Sequence, residues 1–200
     1  MDNWENILDE DILKPNALFA AVFVLNYECL EDFIVDEIKK FYCNDICFEG
    51  EKETLKESND YKNKVRALDN NQVNASLKWY IDAGAITNDD YDTFHRIRKR
   101  RGEIVHELLK NLNNGFTESD GELFGELLNL YGKIDKWWIN EIEIPISGEN
   151  IPSDYDRNSV CGGQAMILSI INSIILGNDG KRYKEILNYM IEKWGYGKEK

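Results

Sequence analysis

Apolar residues recur at helical rather than strand spacing over most of this chain. The first long example runs from Asn16 through LFAAVFVLNYECLEDFIVDEIKKFYC, where Leu18, Val22, Leu25, Cys29, Phe33 and Ile34 share one side. Pro15 suits the first turn of that helix, where its missing N–H has no intrahelical partner to lose. The first half is apolar nearly all round, which predicts a deep position. The helix is expected to end between Tyr42 and Asn44. Residues 45–59 are polar and charged around Gly50 and read as a loop with at most one short ordered piece. Short helices are expected over 60–68 and 74–83, with Asp69-Asn70-Asn71 between them and Gly84 as a left-handed stop.

Thr87 stands three residues before Asp90, close to a capping box, and predicts a long helix over 88–112 that Asn113-Asn114-Gly115 closes. Another helix follows Thr117-Glu118-Ser119-Asp120 and runs to about residue 142. Pro145, Gly148 and Pro152 mark a loop, and two further helices are expected over 159–176 and 179–194. The pattern is all-α. It predicts an up-and-down helical bundle over residues 1–145 and a C-terminal helical hairpin over 146–200, packed on the bundle or at a dimer interface.

Composition narrows this picture. The chain has 200 residues, enough to bury a sizeable core, and 42% of them are hydrophobic, which excludes wholesale disorder. The net charge of −13 repels nucleic acid at long range, so a nucleic-acid site has to be a local basic patch. Frequent Asn points to many caps and turns. The longest apolar run, 165–176, is interrupted by Ser169, Asn172 and Ser173 and is shorter than the roughly 20 residues of a membrane span. It reads as a core or interface helix, and no membrane association is expected.

Four cysteines, Cys29, Cys43, Cys47 and Cys161, include one pair four residues apart, but no His or second pair completes a zinc set. No metal and no cofactor are expected. The opening Met-Asp-Asn-Trp-Glu lacks the basic start and apolar run of a signal peptide, so the expected setting is a reducing cytoplasm with free thiols. Asp154-Tyr-Asp156-Arg-Asn158 begins like a calcium loop, but Ser159 and Ala165 occupy the positions of its Gly and its Glu. Cys161-Gly162-Gly163-Gln164 lacks the lysine of a phosphate loop and reads as a helix start that needs close packing. Trp137 and Trp138 read as core or interface.

The informative stretch is 91–112. Residues 96–101, Arg-Ile-Arg-Lys-Arg-Arg, place five cations in six positions. At about 100° per residue, Phe94, Ile97, Ile104, Val105, Leu108 and Leu112 fall on one stripe, with Arg101 projecting from its middle. A guanidinium there is costly unless it is paired or meets a polar cleft. Arg98, Lys99 and Arg100 are balanced between phosphate contacts and surface ion pairs. His106 lies about 140° around the axis from Arg101, on an edge shared with His95 and Gly102. Gly102 costs about 1 kcal/mol relative to Ala inside a helix, a cost that often marks close approach of another backbone or ligand.

The stretch Arg101-Gly-Glu-Ile-Val-His106, with the turn Gly84-Ala-Ile-Thr before it, resembles the Arg-x4-6-His motif of the HEPN superfamily. The resemblance covers roughly the first 145 residues and not the C-terminal helices. The family commonly has a polar residue after the arginine, where this chain has Gly102. The resemblance implies a metal-independent endoribonuclease that acts as a homodimer, with Arg101 and His106 of two subunits facing one cleft. An imidazole titrates near pH 6.5, about right to move a proton at neutral pH. A guanidinium fork stabilises phosphorane oxygens. RNA would be left with 2′,3′-cyclic phosphate and 5′-hydroxyl ends. The biological role implied is a toxin or anti-phage defence effector with a neutralising or regulatory protein partner. The alternative reading is a non-catalytic HEPN-like helical dimer that binds RNA, a nucleotide or a protein partner.

Overall fold

The structure, a computed structural model, describes residues 5–43, 45–49, 52–148 and 151–177. It is predominantly helical, as the periodicity predicts. α1 (Glu5–Leu8) leads into α2 (Glu10–Tyr42), which begins earlier than expected and leaves Pro15 inside the helix. Asp9 makes this start favourable: its carboxylate accepts the Asp11 N–H at 2.9 Å, and Glu10 and Asp11 place negative charge in the first turn. Residues 46–49 and 52–55 correct the expectation of a loop. They form an antiparallel hairpin of β1 (Ile46–Glu49) and β2 (Lys52–Leu55), with Ile46 opposite Leu55 and Glu49 opposite Lys52. Strands of four residues are too short for a period-two pattern to stand out in one sequence.

α3 (Asn59–Lys64) and a 3-10 turn (Arg66–Leu68) precede α4 (Gln72–Asp82), whose cap is Asn71: its side chain accepts the Asn74 N–H at 3.0 Å. Gly84 follows at φ +75°, as its place after the helix predicts. The expected helix over 88–112 is broken in two. α5 (Asn88–His106) ends at Glu107, which leaves helical geometry at φ −113° and ψ 34°, and α6 (Leu108–Asn114) follows it. α7 (Glu118–Trp138) continues past residue 142 through a π turn (Ile139–Glu143) into α8 (Ile144–Ser147). Buried Asn140 donates to the carbonyls of Lys136 at 2.7 Å and Arg157 at 3.1 Å and accepts the Tyr155 hydroxyl at 2.7 Å, pinning the connection to α9 (Gly163–Leu176). The helix expected over 179–194 lies outside the described residues.

α2 is the axis of the assembly. It packs against α4, α5, α6, α7 and α9, and α7 also supports α5 and α9. Val22, Phe23, Leu30, Ile34 and Ile38 are fully buried against Tyr80, Phe94, Ile97, Leu127 and Ile134, among others. Burial was expected along the whole first half of α2, but Leu18, Ala17 and Ala21 stay at the surface because nothing among the described residues covers that side. Among the described residues no helix is long and apolar enough to cross a membrane. Leu30→Ala is expected to lower the unfolding free energy by about 2–5 kcal/mol. Leu18→Ala is expected to change it by less than about 0.5 kcal/mol. Urea titration of the two variants checks this difference.

Candidate functional site

α5 carries all the residues singled out by the motif. Its start is fixed by a reciprocal capping box, in which Thr87 Oγ1 accepts the Asp90 N–H at 3.2 Å and the Asp90 carboxylate accepts the Thr87 N–H at 2.7 Å. The basic run does not form an open positive surface. Arg96 pairs with Glu126 of α7 at 2.8 Å, and Lys99 stands exposed 3.9 Å from Glu103. Arg98 makes no hydrogen bond or ion pair with the described residues, yet its charge reaches Tyr27 and His95. Burial, together with Arg98, pushes the His95 imidazole below the ordinary histidine value, and its Nε2 is enclosed without a partner among the described residues. Burial and the Glu31 carboxylate push the Tyr27 phenol up.

The two adjacent arginines point to different neighbours. Arg100 turns inward: Nε donates to Asp120 at 2.6 Å, Nη1 to Glu103 at 3.3 Å and Nη2 to Asn111 at 3.1 Å, with the Phe116 ring 5.7 Å from its guanidinium carbon. Its donors are committed to protein, so it does not line the same surface as Lys99. Arg101 crosses to α2, pairs with Glu28 and lies over the Tyr27 ring, 5.5 Å from the centroid. Side-chain exposures of 20% and 9% for Arg100 and Asp120, against 32% and 43% for Arg101 and Glu28, make the first pair the stronger one. Arg101 Nε is shielded and has no acceptor among the described residues.

His106 is the last residue of α5. It is exposed and makes no hydrogen bond or ion pair with the described residues. The structure does not join it to Arg101 within one chain. At about 100° per residue, Arg98, Gly102 and Val105 fill the arc between them. A Cβ added at Gly102 would meet nothing within 4 Å, so the close approach its helix cost suggests is not found among the described residues. Val105 and Leu108 are each 43% exposed and Leu109 64%. Beside them lies an apolar groove of about 360 Å³, lined by Ala17, Ala20, Ala21, Val24, Val105 and Leu108. Sequence reasoning missed this groove because it placed the start of α2 in the interior. The surplus of small apolar residues on α2 was the available signal.

Other candidates resolve into structure. No group of three or more His, Cys, Asp or Glu side chains among the described residues is placed to hold a metal. Cys29, Cys43 and Cys161 are free thiols. At Gly162, which opens α9, the helix start is met by the protein's own carboxylate: Asp135 Oδ2 accepts the Gly162 N–H at 2.8 Å. An added Cβ at Gly162 would collide with that carboxylate, which explains the glycine. Burial raises the Asp135 carboxyl above its usual range, and the Gly162 N–H offsets part of that rise.

No family model, characterised protein sequence or solved structure matches this chain.

The unequal pairs give a direct expectation. Asp120→Asn is expected to cost about 1.5–3 kcal/mol of stability at neutral pH, whereas Glu28→Gln is expected to cost less than about 1 kcal/mol. Burial raises the Asp120 carboxyl, but its bonds to Arg100 and Thr117 outweigh this and hold it below the ordinary 3.8. A carboxyl held low in the folded state stabilises fully above that ordinary value and loses its contribution as pH falls through the folded value. The gap between wild type and Asp120→Asn is therefore expected to close below pH 3.8, as read by urea unfolding across pH.

Proposed function

We propose that this protein is a metal-independent endoribonuclease of HEPN type, acting as a homodimer in which Arg101 of one subunit and His106 of the partner subunit share a cleft. The observation that carries this reading is the arc between the two residues on α5. Among the described residues it is bounded by a guanidinium and an imidazole without a hydrogen-bond partner, it contains Gly102 with open space above it, and it continues into exposed Val105, Leu108 and Leu109. In an isologous contact, residue i meets residue j and j meets i. Two copies of α5 crossing antiparallel at this arc bring each Arg101 toward the opposite histidine while burying the apolar strip at about 25 cal/mol per Å².

The chemistry then needs no further groups. A neutral imidazole takes the proton of the RNA 2′-hydroxyl as its oxygen attacks the adjacent phosphorus. Arg101 holds the charge that develops on the phosphorane oxygens. The second imidazole, protonated, gives its proton to the departing 5′-oxygen, leaving a 2′,3′-cyclic phosphate. Arg98 and Lys99 are the cations left to meet neighbouring phosphates. An incoming phosphate has to replace Glu28 at Arg101, and the net charge of −13 keeps unselected RNA away. Both features suit a cytoplasmic toxin or defence effector that acts under a regulatory protein partner.

A second reading rests on a specific observation. Arg96, Arg100 and Arg101 are already paired with carboxylates of their own chain, which favours a non-catalytic helical dimer that binds RNA, a nucleotide or a protein partner. The readings separate on purified protein and single-stranded RNA in the presence of a chelator. The nuclease reading expects cleavage with cyclic phosphate ends and a loss of about 10²–10⁴-fold in His106→Ala. Intact RNA with a verified dimer, or equal cleavage by His106→Ala, leaves the second reading. The dimer face has its own test. Gly102→Ala is expected to stabilise the monomer by up to about 1 kcal/mol and to weaken self-association in sedimentation; stronger or unchanged association removes α5 from the interface.

A further inference from the structure

The break that ends α5 places His106, and it is held by side chains that lie beyond the motif. A helix that stops at His106 and restarts at Leu108 presents carbonyl oxygens at the discontinuity. Asn111 closes it. Its Nδ2 donates to the carbonyls of Glu103 at 3.2 Å and Glu107 at 2.9 Å, so one amide spans both sides of the break. Asn111 is 9% exposed, so these bonds are shielded from competing water. Its Oδ1 accepts from Arg100 Nη2 at 3.1 Å, and Arg100 is itself anchored on Asp120. Asp120 in turn caps α7 by accepting the Thr117 N–H at 2.8 Å. The far end of α6 is tied as well: Asn16 donates to the Leu112 carbonyl and Asn6 to that of Asn113, each at 2.9 Å. His106 makes no hydrogen bond or ion pair with the described residues, so among them the backbone at the break determines where its ring can go.

We infer that Asn111, locked by Arg100 and Asp120, is the positioning residue for His106. It holds the end of α5 in one geometry and delivers the imidazole to the cleft. This rests on the nuclease reading for its catalytic meaning but not for its physical content. Arg100 thereby acquires a role different from that of Arg101 beside it: it works inward on the histidine's support, while Arg101 faces the phosphate.

The experiment uses the full chain with Asn111→Leu, which keeps bulk and removes the donors, and Arg100→Lys, which keeps the cation and loses the fork. Backbone amide exchange is followed at Glu107 and Asn111, with Leu127 and Leu130 in α7 as reporters of the global fold. The His106 ring is followed by NMR and RNA cleavage by steady-state kinetics. Both variants are expected to speed exchange at the break about tenfold or more while α7 keeps its protection. They are also expected to shift or broaden the His106 ring signals and to lower kcat by about 10–100-fold with KM nearly unchanged. Wild-type exchange at the break, or wild-type kcat in Asn111→Leu, overturns the proposal. If Asn111→Leu does not fold, Arg100→Lys decides by the same readouts. If the wild type itself never cuts RNA, the nuclease reading fails, while the exchange and ring signals still decide whether Asn111 holds His106 in place.

Discussion

One helix has to satisfy neighbours on nearly every side. α2 spans 33 residues, about 50 Å at 1.5 Å per residue, and is the longest α-helix among the described residues. Its middle is buried against α4, α5, α7 and α9, and α7 gives α5 and α9 a second support. The demand includes a polar group. Asn26 is fully buried, donates to the Val22 carbonyl at 2.7 Å, and exchanges hydrogen bonds with Asn172 of α9 at 2.7 and 2.9 Å. An amide left unpaired there costs about 1–3 kcal/mol. That requirement gives α9 a specific register on α2, which apolar contact alone does not supply.

Where α2 is not covered, the candidate site lies. Its small residues Ala17, Ala20 and Ala21 leave a groove beside α5, and the same helix further along supplies Tyr27 and Glu28 beneath Arg101. The basic run on α5 then acts as a set of staples. Consecutive side chains diverge by about 100°, so Arg100 reaches α7, Arg101 reaches α2, and Lys99 remains in solvent. A cluster that looks uniform in one dimension divides among three environments in three.

Five asparagines outside the buried Asn26–Asn172 pair follow one physical rule. Asn71 caps a helix start, Asn111 spans a break, Asn16 and Asn6 receive the last carbonyls of α6, and Asn140 ties a π turn to the following loop. Each stands where regular backbone hydrogen bonding stops. A short amide carrying both donor and acceptor closes such places without introducing charge.

Much of this was legible in order. Apolar spacing at 3.6 residues predicted α2, α4, α5 and α7, and local chemistry predicted the Thr87–Asp90 cap and the turn at Gly84, because caps and turns depend on neighbours in sequence. Frequent Asn signalled caps without saying which. The division between Arg100 and Arg101, the break after His106, the hairpin at 46–55 and the open side of α2 were not legible. The strands are too short to show a pattern, and the arginine pairs join residues far apart in the chain: Glu28 lies 73 positions from Arg101, and Asp120 lies 20 from Arg100. The sequence by itself determined that this chain is helical and that a cation and an imidazole share one helix. Only tertiary packing decided which cation is held inside, which faces outward, and where the helix carrying the imidazole stops, because those choices are made by the acceptors that other helices bring within hydrogen-bonding distance.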